Sequence, residues 1–199
     1  MKTNLKLIGG KRIQSPKNTY TRPTTLRVRE AIFNILKNRV ENSNWLDLFS
    51  GSGAISCEAY NHGARKIIAI EKNKNNSKIC LKNLLSLQDI DNRKNDIDVI
   101  CKDVLNWTKP NHERNLSSKI MDLNKLKFDF VYREPPYNVN FHELVLNQIF
   151  NCDFLKENSI VICEHSPNIH IQKSTLWETI DIRDYGQSRL TFLINVQHS

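Results

Sequence analysis

The chain has 199 residues, of which 39% are hydrophobic and 25% charged, as expected for one α/β domain with its own core rather than for a disordered chain. No apolar run approaches the roughly 20 residues that span a bilayer, so the composition predicts no membrane segment. The net charge is +8, and residues 1–30 hold eight Lys and Arg against one acidic residue. This cationic segment favours a nucleic-acid partner over a solvated tail or a transit peptide.

The five cysteines form no C-x-x-C pair, which excludes a disulfide framework and a zinc-finger pattern. Their pattern predicts a reducing cytoplasmic setting in which cysteines are small core hydrophobes. No group of His, Cys and Asp has metal-ligand spacing, so we expect no metal.

Strand and helix patterns alternate along the chain. Residues 1–22 are predicted to be irregular or weakly β, with a turn at Gly9–Gly10, and a helix follows over residues 22–40 with Thr24 or Thr25 as N-cap. Further strands are predicted at 45–49, 66–71, 99–103, 128–132 and 159–164, further helices at 54–63, 75–87 and 141–150, and two closing strands at 176–185 and 189–196 around Gly186. Residues 104–127 predict a loop with one short helix at most.

This alternation predicts a mostly parallel sheet with helices on both faces. Ligands of such sheets bind at the carboxyl ends of the strands. That rule brings four features to one edge: the loop 50–53, Glu71, Asp103 and the prolines that follow the strand "FDFVY".

The loop "GSGAIS" has the glycines of a nucleotide-binding turn, with Asp47 in the preceding strand. Glu71 follows Gly51 by about 20 residues, where a carboxylate can bind ribose hydroxyls. Ser56 replaces the third glycine of a dinucleotide fingerprint, which favours a nucleoside ligand without phosphates.

The stretch "LDLFSGSG" resembles S-adenosylmethionine-dependent methyltransferases. The resemblance implies S-adenosyl-L-methionine as the methyl donor, with Glu71 at its ribose and Asp103 near its adenine. A helix N-cap is the alternative role of Asp103. The implied cofactor-binding residues are Asp47, Phe49, Ser50, Gly51, Gly53, Glu71, Lys72, Asp103 and Glu134.

The stretch "REPPYN" is similar to the [DNS]-P-P-[YFW] motif of amino-methyltransferases. An exocyclic amine on a base is a weak nucleophile, and oxygen acceptors can orient its N–H groups and receive its proton. The similarity assigns the side-chain acceptor to Glu134, the backbone acceptor to Pro135, stiffening to Pro136 and base stacking to Tyr137.

The motif departs from the family pattern at its first residue. Glutamate reaches about 1.5 Å further than aspartate, and a misplacement of about 1 Å can cost ~10²-fold in rate. We expect the loop to compensate; low activity or a degenerate site are the alternatives. Arg133 before it is expected to point at RNA phosphate or at solvent.

Four segments, "IGGKRIQSPKNTYTRPTTLRVREAIFNIL", "WLDLFSGSGAISCEAYNHGARKIIAIEKN", "FDFVYREPPYN" and "RDYGQSRLTFL", resemble the RsmD family of bacterial guanine-N2 methyltransferases. The resemblance implies a Rossmann-like class I fold whose seven-stranded sheet ends in an antiparallel pair. It implies 16S rRNA, in the small ribosomal subunit or an assembly intermediate, as substrate.

The family resemblance also implies a division of the chain. Residues 1–22 are expected to be a basic extension that faces RNA, and residues 23–199 a single methyltransferase domain. The sequence shows no oligomerisation surface, so a monomer is the default expectation. The candidate RNA-binding residues are Lys11, Arg12, Arg22, Arg27 and Arg29.

Two other functions stay open from the residues alone. An adenine-N6 DNA methyltransferase would use the same chemistry, although the chain has little room for a separate DNA-recognition domain. A catalytically impaired RNA-binding assembly protein is the second, and Glu134 is the residue that favours it.

Overall fold

A computed structural model of the protein describes residues 3–16, 24–91, 95–109, 126–135, 139–171 and 174–196. The strands are β1 (Thr3–Lys6), β2 (Arg12–Ser15), β3 (Asn44–Leu48), β4 (Lys66–Ile70), β5 (Asp96–Ile100), β6 (Phe128–Arg133), β7 (Leu155–His165), β8 (Trp177–Tyr185) and β9 (Ser188–Asn195). The α-helices are α1 (Leu26–Leu36), α2 (Ala54–Asn61), α3 (Lys74–Asp91), α4 (Val104–Trp107) and α5 (Val139–Asn151). A 3₁₀ turn, Lys37–Val40, follows α1.

Seven strands form the main sheet, in the order β5-β4-β3-β6-β7-β9-β8. Strands β3 to β7 run parallel, and β9 runs antiparallel to both of its neighbours. All five residues of β3 and of β4 are buried, as expected for central strands covered on both faces. The predicted mostly parallel, seven-stranded sheet with an antiparallel closing pair is confirmed.

Helices cover both faces of this sheet because successive strand residues point in opposite directions. Trp45 lies in the core cluster formed with helices α1, α2 and α3. Its neighbour Leu46 lies in a second cluster, formed with α4 and α5. The two clusters hold the sheet between them and fix which side chains reach the carboxyl edge.

Helix α1 begins at Leu26, later than predicted. Thr25 is its N-cap, and its side-chain oxygen accepts a hydrogen bond from the Val28 N–H at 3.3 Å. This contact decides between the two predicted caps. The side chain of Thr24 instead contacts Tyr132 and Glu134.

The N-terminal residues form a two-stranded hairpin, β1–β2, with left-handed glycines Gly9 and Gly10 in its turn. Leu7 and Ile13 are buried in the cluster of α1 to α3. The Ile8 N–H donates to Glu58 of α2 at 2.8 Å. The hairpin therefore packs against the helices of the main domain.

Four of the five cysteines are buried, as predicted, but Cys101 is exposed, so the prediction that all are core hydrophobes is wrong for that residue. In the part of the chain that the structure describes, no helix is long and apolar enough to cross a membrane. Within the same residues, no group of three or more His, Cys, Asp and Glu could hold a metal ion.

Candidate active site

Glu71, directly after β4, forms a hydrogen bond with the loop that follows β3. The Gly51 N–H donates to Glu71 Oε2 at 2.9 Å, and the Asn73 N–H donates to Oε1 at 2.7 Å. A carboxylate has about four acceptor positions, so Glu71 can still accept hydrogen bonds from hydroxyl groups. These hydrogen bonds hold the predicted ribose-binding carboxylate beside the glycine loop.

Glycine at position 53 is required by a close approach of α3. Gly53 has φ +78°, and a Cβ there would lie 2.5 Å from the Cys80 Sγ atom. This packing holds the glycine loop against α3.

Asp47 is a buried carboxyl beneath this loop. Its Oδ2 accepts a hydrogen bond from Ser56 Oγ at 2.5 Å, and its Oδ1 has no hydrogen-bond partner among the described residues. Burial is the largest cause that raises the pKa of Asp47, to about 7. Ser56, which replaces the third glycine of a dinucleotide fingerprint, thus binds Asp47.

The remaining predicted cofactor residues lie around the same edge. Phe49 has φ +69° and its ring packs against Phe141, with centroids 5.7 Å apart. The Ser50 N–H donates to the Ile70 carbonyl at 2.9 Å. Lys72 is exposed directly after Glu71.

Asp103 follows β5 and caps α4. Its Oδ1 accepts hydrogen bonds from the backbone N–H groups of Leu105 at 3.0 Å and Asn106 at 3.3 Å. The N-cap alternative is therefore present in the structure. A contact of Asp103 with adenine stays a prediction.

Glu134 stands at the end of β6 in a cluster with three other side chains. Thr24 Oγ1 donates to Glu134 Oε2 at 2.9 Å, and the Tyr132 hydroxyl donates to Glu164 Oε2 at 2.6 Å. The hydroxyl oxygens of Thr24 and Tyr132 lie 3.1 Å apart. We call these four residues the carboxylate cluster. It joins the start of α1 to the ends of β6 and β7.

The two carboxyls of the cluster resist ionisation. Burial raises the pKa of Glu134 to about 8, the nearby Glu164 charge adds to this rise, and the Thr24 hydrogen bond opposes it. Burial likewise raises the pKa of Glu164. Once ionised, Glu134 is therefore a more basic carboxylate than an exposed glutamate, which suits a group that receives a proton.

The Arg133 side chain lies on the face of the sheet opposite to that of its neighbour Tyr132. The prediction that it points at RNA or solvent is wrong. It is fully buried, its Nε donates to Cys163 Sγ at 3.2 Å, and its Nη1 lies 3.0 Å from His142 Nδ1. Burial, and then the Arg133 charge, lower the pKa of His142 to about 3. His142 is therefore neutral and accepts the bond from Arg133.

The predicted RNA-binding residues differ in exposure. Arg12 and Arg27 are exposed, and Lys11 Nζ is 2.8 Å from Asp91 Oδ1. Arg29 is only 1% exposed and pairs with the buried Glu58 at 3.2 Å, so the prediction that it faces outward to RNA is wrong. Its guanidinium also donates to the carbonyl oxygens of Thr24 and Lys6, so Arg29 has a structural role that links β1 to the start of α1.

Three of the predicted residues, Arg22, Pro136 and Tyr137, lie outside the described residues. Pro135 is described and buried. Tyr132 and Glu164 were not predicted as site residues from the sequence, and Thr24 was predicted only as a helix cap. Glu164 ends the predicted strand "SIVICE", so the rule that gathers strand ends could have found it.

Comparison with known proteins shows the family. Residues 6–194 match the family model described as Conserved hypothetical protein 95. An uncharacterized methylase of Rickettsia prowazekii is 27% identical over 237 residues, covering 98% of this chain and 99% of that protein. Ribosomal RNA small subunit methyltransferase D of Buchnera aphidicola subsp. Acyrthosiphon pisum is 28% identical, covering 78% of this chain and 72% of that protein.

A solved structure shares the fold over nearly the whole length. The putative methyltransferase yhhF of Escherichia coli has a TM-score of 0.78 at 22% identity, covering 97% of this chain and 98% of that chain. The predicted Rossmann-like, class I methyltransferase fold is confirmed. Because the family match spans almost the entire sequence, this protein belongs to the family described as Conserved hypothetical protein 95, which is the RsmD family that its motifs resemble.

Proposed function

We propose that this protein transfers a methyl group from S-adenosyl-L-methionine to the exocyclic N2 amine of a guanine in 16S rRNA. The observation that carries the proposal is the position of Glu134 in the carboxylate cluster, at the same sheet edge as the glycine loop and Glu71. The curated relatives named ribosomal RNA small subunit methyltransferase D support rRNA as the substrate.

The residues at this edge fit a nucleoside cofactor. The loop 50–53 approaches α3 through Gly53, and Glu71 keeps acceptor positions for ribose hydroxyls. Among the described residues, the buried Oδ1 of Asp47 has no hydrogen-bond partner. S-adenosyl-L-methionine, when bound, supplies an electrophilic methyl group on a sulfonium. Glu71 would hold its ribose, Asp103 would lie near its adenine, and the loop would hold its amino-acid part.

Glu134 would act on the amine of the target base. Its carboxylate accepts one N–H of the amine and orients the nitrogen for attack. When the amine nitrogen takes the methyl group from the sulfonium, one N–H proton would pass to Glu134. The Pro135 carbonyl would accept the second N–H, and Tyr137 would stack on the base.

The longer side chain of Glu134 is held in place by Thr24. A contact of 2.9 Å between Thr24 Oγ1 and Glu134 Oε2 fixes the carboxylate at its far end. An aspartate would end about 1.5 Å short of this position. The contact supports an active enzyme in which glutamate is accommodated, rather than a degenerate site.

The test is a methylation assay on small ribosomal subunits that lack the modification, with labelled S-adenosyl-L-methionine and mass spectrometry of the digested nucleosides. We expect N2-methylguanosine from the wild type and none from Glu134→Gln, which keeps the size but not the basic carboxylate. In a parallel assay with DNA as the substrate, formation of N6-methyladenine would support the rival methyltransferase. RNA binding without product, or product only from Glu134→Asp, would support the impaired assembly protein.

A further inference from the structure

An open surface groove lies between α1 and β8. From α1 it is lined by Arg27, Glu30 and Asn34, and from β8 by Arg183 and Tyr185. The Arg27 guanidinium carbon lies 5.8 Å from the centroid of the Tyr185 ring. An aromatic ring with two guanidinium groups and hydrogen-bonding side chains is the set that binds single-stranded nucleic acid.

Each wall of the groove lies a few residues along the chain from a contact of the carboxylate cluster. On the α1 side, Arg27 lies in the first turn of the helix, three residues after Thr24, and Thr24 contacts Glu134. On the β8 side, Tyr185 precedes the turn to Ser188, whose side chain hydrogen-bonds to Glu164. A strand of RNA whose target base reaches Glu134 would therefore have its adjoining nucleotides near the groove.

Acidic side chains in and beside the groove do not prevent RNA from binding there. Arg183 pairs with Asp181 at 3.0 Å, but the Arg183 side chain is 58% exposed. Exposed pairs of this kind contribute little and exchange readily. Glu30 and Asp181 together equal the two guanidinium groups in charge, so phosphate would take the place of Asp181 at Arg183. Glu30 can accept hydrogen bonds from base amino groups.

We propose that this groove binds a nucleotide adjoining the target in single-stranded RNA. A base stacks on the Tyr185 ring in the position that the Arg27 guanidinium takes in the free protein, and Arg27 and Arg183 contact phosphates. The assignment rests on the proposed function, because that function requires the target to leave its paired or stacked state. Arg27 was a predicted RNA contact, whereas Arg183 and Tyr185 are new.

The charge contribution is tested with the full chain and a fluorescein-labelled, single-stranded oligoribonucleotide of mixed sequence, by fluorescence anisotropy at several salt concentrations. We expect Arg27→Gln and Arg183→Gln each to weaken binding about two- to fivefold. Each should also lower the slope of log affinity against log salt by about 0.7. Arg65→Gln is the matched control, because Arg65 is exposed just before β4, at the amino edge of the sheet.

The stacking contribution is tested with Tyr185→Leu against Tyr185→Phe. Phenylalanine keeps the ring, whereas leucine keeps apolar volume against the core without it. We expect Tyr185→Leu to weaken binding about fivefold or more at every salt concentration, with an unchanged salt slope, and Tyr185→Phe to bind like the wild type. Equal affinity of the leucine variant, or equal losses from Arg65→Gln and Arg27→Gln, would overturn the proposal.

The methylation assay separates this proposal from the function on which it rests. Binding that depends on the groove, in a wild type that forms no methylated nucleoside, would overturn the function and leave the groove as an RNA site. N2-methylguanosine formed equally fast by the wild type and by the double variant Arg27→Gln/Arg183→Gln would support the function and overturn the groove. Thermal unfolding and S-adenosyl-L-methionine binding of each variant exclude a folding defect as the cause.

Discussion

Thr24 Oγ1 donates a 2.9 Å hydrogen bond to Glu134 Oε2 across 110 residues of sequence. Thr24 is 7% exposed and stands just before α1, so the start of that helix and the end of β6 are joined at the site. The residues directly before α1 are thereby part of the candidate active site.

The first prediction concerns this bond. Thr24→Val keeps the shape of the side chain but removes the donor, which frees the Glu134 carboxylate to move. We expect the single-turnover methylation rate to fall about 10- to 100-fold, since a displacement of about 1 Å has that effect. Thr24→Ser should retain most of the rate. Equal rates for the valine variant and the wild type would show that the bond does not position Glu134.

The second prediction concerns pH and uses Glu164. Glu134 must be ionised to receive a proton, and its pKa is raised to about 8 by burial and by the Glu164 charge. The single-turnover rate should therefore rise as pH increases through the neutral range. Glu164→Gln removes the neighbouring charge, which lowers the pKa of Glu134 and moves the rise to lower pH.

The control for this prediction is Thr24→Val, because the Thr24 bond lowers the pKa of Glu134. Its rate should rise at higher pH than that of the wild type, opposite to Glu164→Gln. A pH profile that stays in place in Glu164→Gln would contradict the proposed coupling of the two carboxyls. A loss of structure alone would not produce shifts in opposite directions.

The local patterns predicted the sheet because each strand and helix carries its own periodicity. "KIIAIE" and "FDFVY" became β4 and β6 with ends within one residue of prediction. The rule that ligands lie at the carboxyl ends of strands brought loop 50–53 and Glu71 together, and the structure joins them by a hydrogen bond.

Arg29 and Arg133 are buried although their charge predicts exposure, and their positions follow the periodicity of the buried residues around them. Arg29 precedes Ile32, Phe33 and Leu36 by three, four and seven residues, the spacing of one helix face, and all four are buried. Arg133 likewise follows Val131 by two residues and shares its face of the sheet. The Thr24–Glu134 contact depends on tertiary packing, which no local pattern encodes.

The third prediction concerns the stability of the free protein and uses Asp47. Its folded-state pKa is raised from 3.8 to about 7, chiefly by burial. The folded state therefore holds a proton that the unfolded chain releases, so the free energy of unfolding falls as pH rises from about 4 to 7. Titration of Asp47 lowers the free energy of unfolding over this pH range by at most a value on the order of 4 kcal/mol.

Asp47→Asn should remove this part of the pH dependence, because the amide oxygen can still accept the Ser56 hydrogen bond while no charge is buried. Urea unfolding at pH 5 and pH 8 measures the effect: the wild type should lose more stability than the variant between the two. The same loss in both proteins would show that Asp47 does not titrate in this range. Weaker S-adenosyl-L-methionine binding by the variant would indicate that the buried charge serves the cofactor.

The fourth prediction separates two neighbouring arginines of α1. Arg29→Met leaves the buried Glu58 without its cation and removes the bonds to the Thr24 and Lys6 carbonyls. Breaking a buried pair on one side destabilises by about 3–5 kcal/mol, whereas Arg27→Gln alters an exposed side chain and should change stability by less than about 0.5 kcal/mol. RNA binding should show the reverse order of effects. The slope of log affinity against log salt should fall for Arg27→Gln, and it should stay unchanged for Arg29→Met at temperatures where that variant is folded. Urea unfolding and anisotropy on the same preparations measure both quantities, and a reduced salt slope for folded Arg29→Met would show that this buried residue reaches RNA after all.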